Sequence, residues 1–163
     1  MNTVYNNDII IIKTKEVFME YRDLNEENIL DAAKLYADTF NGEPWNDSWT
    51  VETAKERIMD IFDARTAYAM TVYENNELVG FILGKREAYF DNIIFEVKEF
   101  CVKPTLQGHG IGKTILKEFE KRLKDKGIGT VSLITCRGIR TEGFYEKNGY
   151  KTSKEMIFMT KQI

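Results

Sequence analysis

Apolar side chains recur along this chain with two different periods. Ile29, Ala32, Ala33, Tyr36 and Phe40 return at three- and four-residue intervals, the spacing of one helix face. Asn25 just before them is a capping residue, and Glu26 and Glu27 suit the positive end of a helix dipole, so a helix is predicted from Asn25. A second helix is predicted after Thr50, with Val51, Ala54, Ile58, Ile61 and Phe62 inward. Between the two, NGEPWNDSW (41–49) carries the Gly, Pro and Asn that break a helix. The period then shortens. VFMEYR (17–22) reads as a short strand, and TAYAMTVY and ELVGFILGKREAYF flank the polar ENNE as the arms of a hairpin. NIIFEVKEFCV (92–102) is a further strand.

Helical spacing returns at Ile111, Ile115, Leu116, Phe119 and Leu123, and basic residues gather toward Lys126 before Gly127 ends the helix. TVSLITC (130–136) reads as a buried strand, followed by a short helix ending at Gly149 and a last strand within KEMIFMTK. Strand 92–102, helix 111–126 and strand 130–136 make a βαβ unit, whose strands run parallel through a right-handed crossover. The expected fold is α/β: a mixed, mostly antiparallel central sheet with one parallel βαβ unit and helices on both faces. Residues 1–16, with the apolar run Ile9–Ile12, are read as an N-terminal extension to a domain spanning 17–163.

A chain of 163 residues suits one domain with a sizeable core. Its net charge of −3 gives no electrostatic footprint for nucleic acid and favours a cationic partner. DIIII is too short to span a membrane and no signal-peptide pattern is seen, while two cysteines without a disulfide framework suit a reducing compartment, so a cytoplasmic protein is expected. Cys101 and Cys136 form neither a disulfide framework nor a metal pattern; both sit in apolar runs and are expected to be buried.

QGHGIGKT (107–114) opens the helix after the central strand. Gly108, Gly110 and Gly112 let main chain approach an anion, and the first turn of a helix offers unpaired N–H groups at its positive end. A phosphate site is expected there. It is not a nucleoside-triphosphate loop, which reads G-x-x-x-x-G-K-S/T, because Gln107 fills the first glycine position and TVSLITC ends in Cys136 rather than a magnesium-binding Asp. The dinucleotide fingerprint fails as well, since the spacing is G-x-G-x-G with no acid ending the next strand.

Gln107-x-x-Gly110-x-Gly112 resembles the Q/R-x-x-G-x-G/A signature of the GNAT superfamily of N-acetyltransferases, which use acetyl-coenzyme A as cosubstrate. EFCVKP (99–104) is similar to that family's E-L-Y-V-x-P strand, and GFYEKNGY (143–150) to its A-x-F-Y-E-K-x-G-F segment. The resemblance implies a coenzyme site built from the main chain of Phe100, Cys101 and Val102, pairing with the pantetheine arm. The loop Gln107, Gly108, His109, Gly110, Ile111, Gly112 and Lys113 would hold its pyrophosphate. A main-chain N–H near Val102 would stabilise the oxyanion. It implies Tyr145 as the acid that protonates the departing thiolate, for which a tyrosine pKa of about 10 is well matched.

Glu99 and Glu96 are the candidate bases for the amine, with Glu99 favoured because it shares a strand face with Cys101. Three residues apart, the two acids would point to opposite faces of an ideal strand unless a bulge intervenes. His109, the only histidine, is read as an exposed loop residue and not a catalyst. Where the family often has an Asn, this chain has Gly138, and Arg137 and Arg140 nearby either meet coenzyme phosphate or lie exposed. Trp45 and Trp49, with Glu43 and Asp47, either wall a cation pocket or pin the loop to the core.

The activity so implied is acetyl transfer to a primary amine of a small cationic molecule, in a protein with no nucleic-acid, membrane or metal partner. A homodimer is expected from the family's habit. Two alternatives stay open: a protein or peptide N-acetyltransferase, and a coenzyme-A-binding sensor without turnover.

Overall fold

The computed structural model describes residues 19–163. The chain runs β1 (Met19–Asp23), α1 (Ile29–Phe40), α2 (Val51–Phe62), β2 (Ala67–Glu74), β3 (Glu77–Ala88), β4 (Ile93–Val102), α3 (Ile111–Asp125), β5 (Thr130–Leu133) and α4 (Glu142–Lys147). The strands form one five-stranded sheet in chain order, antiparallel throughout except for the parallel β4–β5 pair. The predicted α/β class is therefore the observed one. The extension 1–16 and the first residues of the 17–22 strand lie outside the described residues.

Two apolar clusters sandwich the sheet. On one face Ile29, Ala32, Ala33 and Tyr36 of α1 and Ala54, Ile58 and Ile61 of α2 bury against Ala69, Phe81, Leu83 and Cys101. On the other, Ile115, Leu116, Phe119 and Leu123 of α3 bury against Met70, Val72, Ile82, Phe95 and Val97. Fully burying an Ile, Leu, Phe or Met side chain contributes roughly 1.5–3 kcal/mol, so the helix stripes read from the sequence are what fasten the helices to the sheet. Thr50 caps α2: its hydroxyl accepts from the Thr53 N–H while the Thr53 hydroxyl accepts from the Thr50 N–H. Asn75 and Asn76 both adopt positive φ, as a two-residue hairpin turn requires.

Four expectations are corrected. α1 begins at Ile29, not at Asn25, because Asn25 is spent on the preceding turn, where its Oδ1 accepts from the Glu27 and Asn28 N–H groups. The 130–136 strand stops at Leu133 and is only half-buried, since β4 offers it a partner for four residues. Cys136 lies beyond that end and is exposed, whereas Cys101 is buried as expected. The last segment forms no strand: Met156, Ile157, Phe158 and Met159 have no ladder partner and are 73–81% exposed.

Candidate active site

The register of β4 shapes the centre of the molecule. Leu83 faces Glu99 and Gly84 faces Val97, so Lys98 is an extra residue, a β-bulge. Before the bulge Phe95 and Val97 point to the α3 side; after it Cys101 belongs to the α1–α2 side. The bulge thus turns Glu99 onto the face that Glu96 already occupies, and both candidate acids share a face. Gly84 is required opposite it, because a Cβ there would lie 2.1 Å from the Glu96 carbonyl oxygen.

β5 pairs with β4 only from Ile94 to Val97. Beyond the bulge, the side of β4 away from β3 has no strand beside it. The Lys103 N–H bonds the Val79 carbonyl on β3, while the Val102 carbonyl accepts the Gln107 side chain at 2.9 Å. Strand alternation then directs the N–H and C=O of Phe100 into the same gap as the Val102 carbonyl, and those of Cys101 toward β3.

The glycine loop closes one end of this gap. Gly108 and Gly110 sit at φ +80° and +84°, which other residues adopt reluctantly. The six consecutive N–H groups from Gly108 to Lys113 donate to no acceptor among the described residues, the last three because they form the first turn of α3. Gly112 brings that turn against α4: a Cβ would lie 3.4 Å from the Phe144 ring. Such a row of free donors at a helix start is an arrangement that suits an anion. Gln107 reaches this site as a brace, its side chain tying the loop to the end of β4. His109, Gly110 and Lys113 are exposed at its rim.

Tyr145 stands on α4, its ring packed edge-on against Phe144 and Tyr150 at 5.1 and 5.4 Å. Burial first, and then the charge of Glu99, push its hydroxyl up to about 12. Tyr145 and Glu96 line one cleft of about 870 Å³ between β5, α4 and the 151–158 segment. Glu87, Glu96, Glu120, Glu142 and Glu146 line that cleft against the cations Arg137 and Lys151. Arg137 is exposed and paired with Glu142 at 3.4 Å, and Arg140 is exposed.

Glu99 is buried, and burial raises its carboxyl above the usual range. Arg57 of α2 opposes that rise: its Nε and Nη2 both reach Glu99 Oε1 at 2.8 Å, and Tyr36 and Lys98 add to the effect. Arg57 and Tyr36 were missed as site residues. The signal was present, since Arg57 falls three residues after Ala54 and four before Ile61, a charge set within an inward stripe. The tryptophans pin the loop, and Trp49 also lines a cleft of about 980 Å³ with Asp31, Asp38 and Glu77. Trp49 donates to Asp47 at 3.0 Å and packs edge-on to Tyr36, and Trp45 packs on Phe40. Among the described residues, no three metal-ligating side chains cluster and no helix is long and apolar enough to cross a membrane.

The model of the Acetyltransferase (GNAT) family matches residues 29–150. The [Ribosomal protein bS18]-alanine N-acetyltransferase of Haemophilus influenzae is 32% identical over 84 residues, 50% of this chain and 53% of that protein, so the match spans about half of that relative's length. A predicted acetyltransferase with acetyl-CoA from Clostridium acetobutylicum shares the fold at TM-score 0.66 and 15% identity, over 88% of this chain and 96% of that one. An aminoglycoside acetyltransferase from an uncultured soil metagenomic sample, in complex with sisomicin, shares it at TM-score 0.69 and 15% identity, over 90% and 97% of the two chains.

Proposed function

The chain belongs to the acetyltransferase (GNAT) family, and from that premise we propose that it moves an acetyl group from acetyl-coenzyme A to a primary amine of a small cationic molecule, by direct attack in a ternary complex. The observation that carries the proposal is the row of six free N–H groups from Gly108 to Lys113, set at the end of the open β4 edge. The residues present fit the coenzyme: the N–H row suits a pyrophosphate, and the main chain of Phe100 and Val102 beside it suits an extended amide-bearing arm. Acetyl-coenzyme A supplies the activated thioester.

The chain's own groups supply the rest. Glu99 takes the proton that the amine must lose, directly or through water, and burial strengthens it as a base. Tyr145, protonated at neutral pH, gives a proton to the departing sulfur. Of the five carboxylates around that cleft, Glu87, Glu96 and Glu142 are already paired with Lys85, Lys98 and Arg137, so Glu120 and Glu146 are the acids left to favour a positively charged acceptor. A peptide amine is the second reading, favoured by the relative that acts on a ribosomal protein's alanine.

The test is thiol release from acetyl-coenzyme A over a panel of spermidine, an aminoglycoside, free amino acids and a peptide with N-terminal alanine. Turnover of the polycations supports the proposal, and turnover of the peptide alone transfers it to the second reading. Tight coenzyme binding with no turnover across the panel would make the chain a binding module.

A further inference from the structure

The base candidate is held from outside its own strand. Arg57 lies on α2, and its side chain is 41% exposed while that of Glu99 is 9% exposed, so the guanidinium joins a buried carboxylate to the solvent side. Both of its contacts, Nε and Nη2 at 2.8 Å, fall on Oε1. A fork that gripped one oxygen each would occupy the carboxylate evenly; this end-on grip leaves Oε2 clear of Arg57, with the Tyr36 hydroxyl as the carboxylate's other hydrogen-bonding neighbour. Tyr36 on α1, Lys98 on β4 and Tyr145 on α4 complete the titratable groups acting around Glu99, with Cys101 two residues along the strand. Of these, Arg57 and Lys98 are cationic, and Lys98 is paired with Glu96 at 2.7 Å.

We infer that Arg57 is the positioning residue of the proton acceptor: it clamps Glu99 by Oε1, keeps the carboxylate ionised within an apolar wall, and leaves Oε2 to receive the proton of the amine. The inference rests on the acetyltransferase reading above and adds to it an element, α2, that carries none of the family-like segments. The proton balance is simple. The ammonium N–H breaks, the proton passes to Oε2, the nitrogen lone pair becomes free to attack, and the proton leaves to solvent when Glu99 reionises.

The sign follows from the charges. An adjacent cation favours the ionised carboxylate, so removing it moves the Glu99 titration to higher pH. The acidic limb of kcat/KM, which reports the free enzyme's base, should move with it. The experiment has two arms on the full chain. One follows the Glu99 side-chain carboxyl by carbon-13 NMR across pH in wild type, Arg57→Gln and Arg57→Lys, with Glu99→Gln to assign the signal; it needs no acceptor. The other measures pH–rate profiles with spermidine and with the alanine peptide as probes.

Arg57→Gln should shift both the titration and the limb upward by the same amount. Arg57→Lys keeps the charge but not the two-nitrogen grip, so its limb stays near wild type while its plateau falls about tenfold through lost orientation. It also serves if the glutamine variant fails to fold. An unmoved Glu99 titration in Arg57→Gln overturns the role given to Arg57. A titration that moves while the limb stays overturns Glu99 as the base, and so separates failure of the underlying reading from failure of the clamp.

Discussion

Gly84→Ala puts the architecture of β4 to a direct test. Gly84 lies on β3 opposite the bulge, and an added Cβ would stand 2.1 Å from the Glu96 carbonyl oxygen and 2.6 Å from the Phe95 ring, where ordinary contact begins at 3.4 Å. The overlap exceeds 1 Å, and its main partner is main chain that has no rotamer to change. Phe95 is itself 1% exposed and hemmed in by α3. Overpacking of this kind costs about 1–3 kcal/mol or more, while replacing glycine restrains the unfolded chain and returns about 0.4–1 kcal/mol.

The net is a loss of about 2 kcal/mol, which for a chain of this size lowers Tm by about 4–8 °C. Gly129→Ala is the control. Its Cβ would find only the Asn92 side chain, at 3.9 Å, so stability should hold or rise slightly. Urea unfolding followed by far-UV circular dichroism measures both. Because β4 must retreat beside Lys98 to relieve the collision, the glutamate it aims should be misplaced too, and kcat should fall in the folded fraction. A Gly84→Ala protein as stable as the Gly129→Ala control would refute the register on which the site is built.

Tyr145→Phe should lower kcat by about 10²–10⁴-fold while coenzyme affinity, read by calorimetry, stays unchanged; an unaltered kcat removes its role as acid. Gly110→Val forces a side chain into φ +84° at the N–H row and should weaken coenzyme binding by about tenfold. Gly127→Val, at φ +79° beyond the far end of α3, should lose comparable stability with no change in that affinity. Thermal stability should fall as pH rises above about 10. Tyr145 is raised to about 12 by burial, and Tyr150 is raised further by burial and its bond to Glu120, so the neutral phenols stabilise the fold below the ordinary tyrosine pKa and that contribution drains away as the pH climbs through the raised values. A melting temperature constant from pH 9 to 11.5 would contradict this, and Tyr150→Phe should flatten the decline.

The helices were legible because their burial is local and periodic: the inward stripes of α1, α2 and α3 in the structure are those written at 29–40, 51–62 and 111–123. The hairpin was equally plain, since Asn75 and Asn76 between apolar runs announce their own turn. What the sequence concealed depends on partners. Whether 130–136 or 154–161 becomes strand is decided by where a neighbouring edge is on offer, and β4 gives β5 only four residues. Cys136 shares the apolar pattern of its neighbours, yet lies past that limit in the open. The bulge at Lys98 has no signature in β4 itself; its trace is on the other strand, in a glycine at position 84. Arg57 was hidden because an arginine on a helix is ordinarily solvated, and only the carboxylate 42 residues on gives it a purpose.

The short reach of β5 has a consequence for anyone who would make this protein sturdier. Lengthening it past Leu133 so that it ran on beside Phe100 and Val102 would give those amides permanent partners and knit the sheet shut. Thermal tolerance would improve by every ordinary measure, and the proposed slot for the coenzyme would be gone. Selection for robustness alone would therefore erase the trait worth keeping, and stabilising changes belong on the β1 side, four strands away.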